Sequence, residues 1–305
     1  MAGLCEGRVA IVTGAGRGIG REHALMLAAE GAAVVVNDLG AQPDGSGADA
    51  GPANEVVAEI EAMGGAAVVN GSDVTDFAEA EAMVAQAVET FGRLDILVNN
   101  AGILRDRMLF SMDEADWDDV LNVHLKGHFC PTRHAAAHWR ARAKAGEEVD
   151  ARIINTASPS GLYGNVGQGN YGAAKAGIAS LTLVAALELG RIGVTANCLA
   201  PTAVTRLVAP LMGGEENIPD DVRERLSPRW VATVATWLAS PAARHVTGRV
   251  FDVRGDTIAV AEGWHRGPEG TNPGHPAGAG EVIEELLREA RPNGDLDGRD
   301  DPERF

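Results

Sequence analysis

Residues 8–20 run Arg8-Val-Ala-Ile-Val-Thr13-Gly14-Ala15-Gly16-Arg17-Gly18-Ile19-Gly20. The first six form a short β-branched apolar run, and the residues from 18 onward carry helical periodicity, so the glycines fall between a strand and a helix. There they let the chain turn sharply and let backbone N–H groups approach a pyrophosphate, while the helix aims its positive N-terminus at the same anion. Glycines alone mark ordinary turns. Their placement between a first strand and a first helix makes Gly14, Arg17, Gly18, Ile19 and Gly20 candidate dinucleotide contacts.

Outward from this stretch, further strands are predicted at 32–37, 66–70, 95–99, 152–156, 194–198 and 249–253. Helical patterns lie between them at 18–30, 52–63, 77–91, 117–144, 171–190 and 230–239. Most of the strands are nearly unbroken apolar runs, the pattern of parallel strands covered on both faces. Strands that alternate with helices predict an α/β fold: a Rossmann-type, doubly wound, parallel seven-stranded sheet in a single domain at 1–264. Residues 40–51 read as a long polar loop. An extension at 265–305 begins Gly/Pro-rich. Its short amphipathic helix, 281–291, has one stripe of Val282, Ile283, Leu286, Leu287 and Ala290, which suits docking on its own domain or on a partner subunit. Residues 293–305 read as an acidic, poorly ordered terminus.

The chain has 305 residues, 45% apolar and 23% charged, with a formal charge of −17. Such a surface repels phosphate backbones and anionic lipid, which argues against nucleic-acid and membrane roles. Any anionic ligand must be held by local geometry against that field. No apolar run is expected to span a bilayer, and the first residues lack a secretory leader. Cys5, Cys130 and Cys198 are too few and too scattered for a disulfide framework or a zinc cluster, so a reducing cytoplasm is expected. His124 and His128, and His134 and His138, are paired at i, i+4. They lack the Glu of a zincin motif and further ligands, so no metal is expected.

The second strand ends Val36-Asn37-Asp38-Leu39. A carboxylate at that tip can accept both hydroxyls of an adenosine ribose and repels a 2′-phosphate, so Asp38 favours NAD over NADP. Arg17 pulls the other way, since a guanidinium pairs well with phosphate. Leu39, not a second base, follows Asp38, and NAD is the expectation.

Tyr171 and Lys175 share one face of a predicted helix. A free phenol has a pKa of about 10; a neighbouring ammonium and a bound nicotinamide cation both favour phenolate, which would make Tyr171 a general base for alcohol oxidation. Ser158 follows the strand at 152–156, where a parallel sheet presents its carboxyl ends, and its hydroxyl could orient the reacting oxygen. Ser160 competes with Ser158 and Tyr163 with Tyr171, but only Tyr171 has a lysine one turn later.

Thr13 to Gly20, Asn99-Asn100-Ala101-Gly102, Asn122, Ser158 and Tyr171-Gly-Ala-Ala-Lys175 together resemble the short-chain dehydrogenase/reductase family, over residues 5–264. The resemblance implies that Asp73 and Val74 line an adenine pocket and that Asn100, Ala101 and Gly102 support the cofactor. It also implies that Asn122 holds a water relaying protons to Lys175, and that Lys175 binds the nicotinamide ribose. Ser158 would polarise the substrate oxygen while Tyr171 exchanges its proton. The family usually has Pro-Gly after the sixth strand; here Pro201-Thr202-Ala203-Val204 stands, and the carboxamide contact falls to Val204. A homodimer or homotetramer, built on the helices starting near Trp117 and Tyr171, is implied likewise.

Val36 to Gly40 with its long loop, and Thr156 to Gln168, further resemble the (3R)-hydroxyacyl-CoA dehydrogenase units of peroxisomal multifunctional enzymes of type 2. Hydratase and sterol-carrier regions do not follow, as in a stand-alone relative of bacterial type. That implies a bulky apolar substrate, a 3-hydroxyacyl-CoA or a hydroxysteroid. Residues 204–212, with Leu207, Val208, Leu211 and Met212, would form a greasy lid or simply pack on the sheet, and Arg206 would meet a carboxyl or CoA phosphate. A non-catalytic NAD-binding sensor and a scaffold using the 281–291 helix are the rival classes. The presence of both Tyr171 and Lys175 speaks against each.

Overall fold

The computed structural model describes residues 3–206, 208–209 and 213–303. β1 (Val9–Thr13) is wholly buried and stands at the centre of an eight-stranded sheet of order β3-β2-β1-β4-β5-β6-β7-β8. β2 (Ala33–Asn37), β3 (Ala67–Asn70), β4 (Ile96–Asn99), β5 (Ala151–Thr156), β6 (Val194–Thr202) and β7 (Val250–Arg254) all run parallel to it. To the seven expected strands the structure adds β8 (Thr257–Ala261), an antiparallel edge strand turned back on β7. It escapes the sequence pattern because it has no buried face: Ile258 and Val260 are exposed.

Helices α1 (Gly18–Ala29), α2 (Gly51–Ala62) and α9 (Pro228–Ala239) cover one face of the sheet, in the core that holds Val12, Leu27, Val34 and Leu238. On the other face α3 (Phe77–Phe91), α5 (Gly127–Lys144) and α7 (Gly169–Leu189) enclose Ile11, Met83, Leu97 and Trp139. Burial on both sides explains why the strands are apolar without alternation. The expected helix 117–144 is broken. α4 (Glu114–Leu121), capped by Asp113, runs into a single π turn, Asn122–Lys126, before α5 begins. Such wide turns inside helices often mark functional sites.

α6 (Pro159–Tyr163) and α8 (Asp220–Arg225) are short connectors. Of the expected lid at 204–212, Val204, Thr205, Arg206, Val208 and Ala209 are described; Leu207, Leu211 and Met212 lie outside the described residues. α10 (Pro276–Glu289) begins earlier than the expected 281–291, because His275 caps it through Nδ1 to the Gly278 amide. None of its residues is buried.

The segment expected to be poorly ordered instead forms a β-hairpin over 293–301. Its amides close on Asp295 and Asn293, and Gly294 bridges Asp300 antiparallel. Arg304 and Phe305 lie outside the described residues. The sequence reads as unstructured because its polar groups bond one another and not an apolar core.

α7 also corrects the expectation of no span-length apolar segment. Gly169–Ile192 is long enough, at a mean hydropathy of 1.4, to pass for one. Its buried face carries Asn170, Lys175 and Thr182, as suits a helix laid on a sheet with polar work to do.

At the amino ends of the strands, away from any cleft, Arg152 is 1% exposed and Asp150 meets both Arg152 (2.7 Å) and Arg8 (2.8 Å). Burial raises the Asp150 carboxyl, but the two guanidinium partners more than reverse this and hold it below its ordinary value. Asp150→Ala leaves two largely buried cations without their carboxylate. A loss of about 2 kcal/mol is expected, less than for a fully buried pair because Asp150 is partly solvated. Chemical denaturation measures it; since the carboxylate is remote from the cleft, specific activity should be retained.

Candidate active site

β1 and β4 are neighbours, yet the chain leaves β1 towards β2 on one side and β4 towards β5 on the other. This reversal of strand order opens a crevice at the carboxyl ends of the strands, where open α/β sheets bind ligands. A cleft of about 530 Å³ lies there.

One end is built from the glycine stretch. Gly14 (φ +63°) and Gly18 (φ +55°) occupy the left-handed region that favours glycine. A Cβ on Gly14 would stand 2.8 Å from Ala101 Cα, and one on Gly16 would stand 2.9 Å from an Asp38 oxygen. Arg17 precedes α1 without a side-chain cap, so the first amides of that helix have no side-chain acceptor. Gly14, Arg17, Gly18 and Ile19 face the cleft. Gly20 does not. A Cβ there would lie 2.0 Å from the Gly14 carbonyl oxygen, so this glycine lets α1 pack closely on the turn after β1. Uncapped amides and positive-φ glycines fit a dinucleotide pyrophosphate.

Asp38 accepts the amides of Gly16 (2.7 Å) and Gly40 (2.6 Å), which fixes its carboxylate at the tip of β2 beside Leu39. Arg206 donates to the Ala41 carbonyl (3.0 Å), and burial together with the nearby Arg17 charge lowers its pKa while Asp38 raises it. Asp73 and Val74, after β3, complete this end. Asn100, Ala101 and Gly102, after β4, form the floor. Thr13 Oγ1 accepts the amides of Asn100 (2.9 Å) and Ala101 (3.2 Å), tying β1 to β4 at the crevice.

Ser158, Tyr171, Lys175 and Asn122 meet at the other end. Lys175 lies on α7 one turn after Tyr171, and its Nζ donates to the Thr156 carbonyl at 2.6 Å. Nζ is 5.5 Å from the centroid of the Tyr171 ring. Burial drives the two groups in opposite directions: Lys175 falls to about 7 and Tyr171 rises to about 12. A hydrogen bond with Ser158 opposes the rise of Tyr171, and the Asp106 charge adds to it. Within the chain alone burial, and not the expected pull of the ammonium, dominates the phenol. Ser158 and Ser160 both line the cleft, and of the two it is Ser158 that lowers the Tyr171 pKa against the effect of burial. Tyr163 does not line the cleft, and burial and the nearby Asp252 carboxyl raise its pKa. Asn122 opens the π turn, its carbonyl accepting the Gly127 amide.

Val204 does not line the cleft. Its amide donates to the Leu226 carbonyl (2.8 Å), and the wall after Pro201 comes from Thr202, Ala203 and Thr205.

Other residues of the site carry no local sequence signal. His124, weighed above only as a metal ligand, stacks edge-on against Tyr171 (5.1 Å) and bonds the Ile103 carbonyl through Nε2 (2.7 Å). Burial and then the Lys175 charge keep it neutral, far below the ordinary histidine value. Gly102 must be glycine, since a Cβ would lie 2.3 Å from the His124 ring. Arg254, Leu296 and Asp297 also reach the cleft, brought there by folding from beyond residue 250.

The family model described as short chain dehydrogenase matches residues 8–211. The chain is 47% identical over 266 residues to a Mycobacterium tuberculosis protein named hydroxyacyl-CoA dehydrogenase ChsB1, covering 85% of this chain and 81% of that one. It is 42% identical over 261 residues to the mouse peroxisomal multifunctional enzyme type 2, covering 86% of this chain and 33% of the mouse protein. A crystal structure of a short chain dehydrogenase from Mycobacterium avium superposes with a TM-score of 0.84 at 54% identity, covering 95% of this chain and 98% of that one. The cleft at the reversal of the sheet thus has the company its residues imply, and the chain belongs to the short-chain dehydrogenase family, enzymes that act on CH–OH groups with a nicotinamide cofactor.

Proposed function

We propose that this enzyme interconverts the secondary alcohol of a bulky apolar substrate and its ketone with NAD, and that the substrate is a 3-hydroxyacyl-CoA. The observation that carries the reading is the convergence of Ser158, Tyr171, Lys175 and Asn122 on the same cleft as Asp38 and the glycine stretch, with Lys175 Nζ 5.5 Å from the Tyr171 ring. The printed names of the Mycobacterium tuberculosis and mouse relatives support the choice of substrate. Asp38, set by two amides, supports NAD.

A bound nicotinamide cofactor supplies the hydride acceptor. The chain's own work is the proton. Ser158 and Tyr171 hold the substrate oxygen between two hydroxyls, and Tyr171 takes the alcohol proton as the carbon loses hydride. In reverse, the protonated phenol, favoured by burial, donates to the carbonyl. Lys175 is the cation able to stabilise the phenolate, held in place by Thr156, and Asn122 is assigned the water that relays the proton outward. The homodimer or homotetramer belongs to this proposal, supported by the exposed Phe129 on α5 and Leu183, Val184 and Leu187 on α7. So does a cytoplasmic location, supported by three free, buried thiols.

Tyr171→Phe removes the proton carrier but little volume. Turnover of 3-hydroxyacyl-CoA should fall by about 10²–10⁴-fold, while NADH binding by fluorescence stays nearly unchanged. Surviving turnover would overturn the assignment, and a parallel panel of steroid alcohols tests the substrate. Asp38→Ser removes the carboxylate that repels a 2′-phosphate, leaving Arg17 and Arg206 nearby. The NADP-to-NAD ratio of kcat/KM should rise by about tenfold or more; an unchanged ratio would remove Asp38 from cofactor selection.

Lys175 gives a pH test. Its folded pKa of about 7 lies below the ordinary lysine value of about 10.4, so over that window the unfolded chain binds more protons. Stability of the ligand-free protein should therefore climb from about pH 7 to about pH 10 relative to Lys175→Met. The variant should be the more stable protein at neutral pH while lacking activity, as parallel denaturation curves would show.

A further inference from the structure

The hairpin over 293–301 reaches the substrate end of the cleft. Asp295 organises it, its carboxylate accepting the amides of Asp297 (2.9 Å) and Arg299 (2.8 Å) and its carbonyl that of Gly298 (2.9 Å). Three anchors hold it down. Arg291, before it, bonds Asp300 (2.8 Å) and Glu262. Gly298, in the left-handed region (φ +75°), lies so close over Tyr163 that a Cβ would stand 2.9 Å from the phenol oxygen. Asp297 forms an ion pair with Arg254 at the end of β7. Leu296 and Asp297 thereby line the same cleft as Ser158, Ser160 and Thr202, and Arg254, the ion-pair partner of Asp297, stands opposite Thr202 in the β6–β7 register. Tyr163 is itself the last residue of α6, whose first turn is capped by Ser158, so the hairpin leans on the element that positions the polarising hydroxyl.

We propose that this hairpin is the specificity wall of the substrate site: Leu296 sets the bulk of the apolar group admitted beside Ser158, and the Arg254–Asp297 ion pair latches the wall in place. The proposal rests on the alcohol-oxidising reading above and adds to it which part of the chain measures the substrate. Leu296 is 41% exposed, so it has an open side from which a larger residue narrows the cleft and a smaller one widens it. The latch is partly solvated, and its contribution is geometric: it ties the hairpin to the end of β7, where Tyr163 and Arg291 do not reach.

The test compares short-, medium- and long-chain 3-hydroxyacyl-CoA thioesters with the full-length enzyme. Leu296→Trp should lower kcat/KM for the longest substrate by about tenfold while leaving the shortest within about twofold; Leu296→Ala should shift the ratio the opposite way. Separately, hydrogen exchange at the Gly298 and Asp301 amides should quicken about tenfold in Asp297→Asn, and the swap Arg254→Asp with Asp297→Arg should restore slow exchange. Wild-type turnover with chain-length ratios unmoved by either Leu296 variant would overturn the specificity role alone. Unchanged exchange in Asp297→Asn would overturn the latch. A wild-type enzyme that turns over none of these thioesters would sink the substrate reading and the specificity role with it, whereas the exchange measurement would still decide the latch.

Discussion

Lys175 puts an ammonium in a buried position at the cleft, facing a peptide carbonyl and not a carboxylate. An ion pair there would have cancelled the charge the chemistry needs. A carbonyl orients the group and leaves its charge able to act on whatever enters the cleft. Burial lowers Lys175 and raises Tyr171, so the ligand-free protein keeps both nearer neutrality than water would. His124 and His128 stay uncharged behind them for the same reasons, burial first and the lysine second. The site is therefore set against charge until a ligand with its own charges arrives.

That arrangement depends on the backbone of the sheet. Register places Asn99 on β4 beside Asn155 on β5, and Asn155 beside Cys198 on β6. Asn99 bonds Asn155 and Thr132, and Asn155 bonds Thr182 on α7. This buried polar ladder fixes α7 to the sheet on the same buried face as Lys175, two turns further along, and Thr156 ties back to Asn99 through its hydroxyl. Buried hydrogen bonds of this kind specify a single arrangement, because a shift of α7 would break the Asn155–Thr182 bond in a place where water cannot replace it.

A chain with formal charge −17 nevertheless has a site fitted to a diphosphate. Positive-φ glycines and the uncapped start of α1 act at contact distance, where the net charge is screened over about 8–10 Å. Arg17 and Arg206 stand beside Asp38, so both signs meet at the ribose end. The acidic residues that make up much of the net charge, such as those of the 293–301 hairpin, serve instead to cap turns and hold guanidinium groups.

The glycine stretch, the acid at the end of β2, the Tyr171–Lys175 spacing and the apolar strands are local patterns, since each is governed by backbone conformation or helical periodicity within a few residues. The doubly wound sheet and the chemical end of the cleft were legible from them. What distance along the chain hides was not. Gly20 and Val204 resemble contacts in sequence but are turned to packing and to Leu226. β8 has no buried face to mark it. His124 matters through a ring set against Tyr171 by the π turn, and Leu296 and Asp297 through a hairpin whose bonds are polar and mostly its own. Sequence by itself determined which groups can do the chemistry, because that is written in residue type and short spacing. Only the tertiary structure decided which of them are dry, which are already occupied and what walls the substrate end, because burial and long-range contact arise from segments that meet nowhere but in the folded chain.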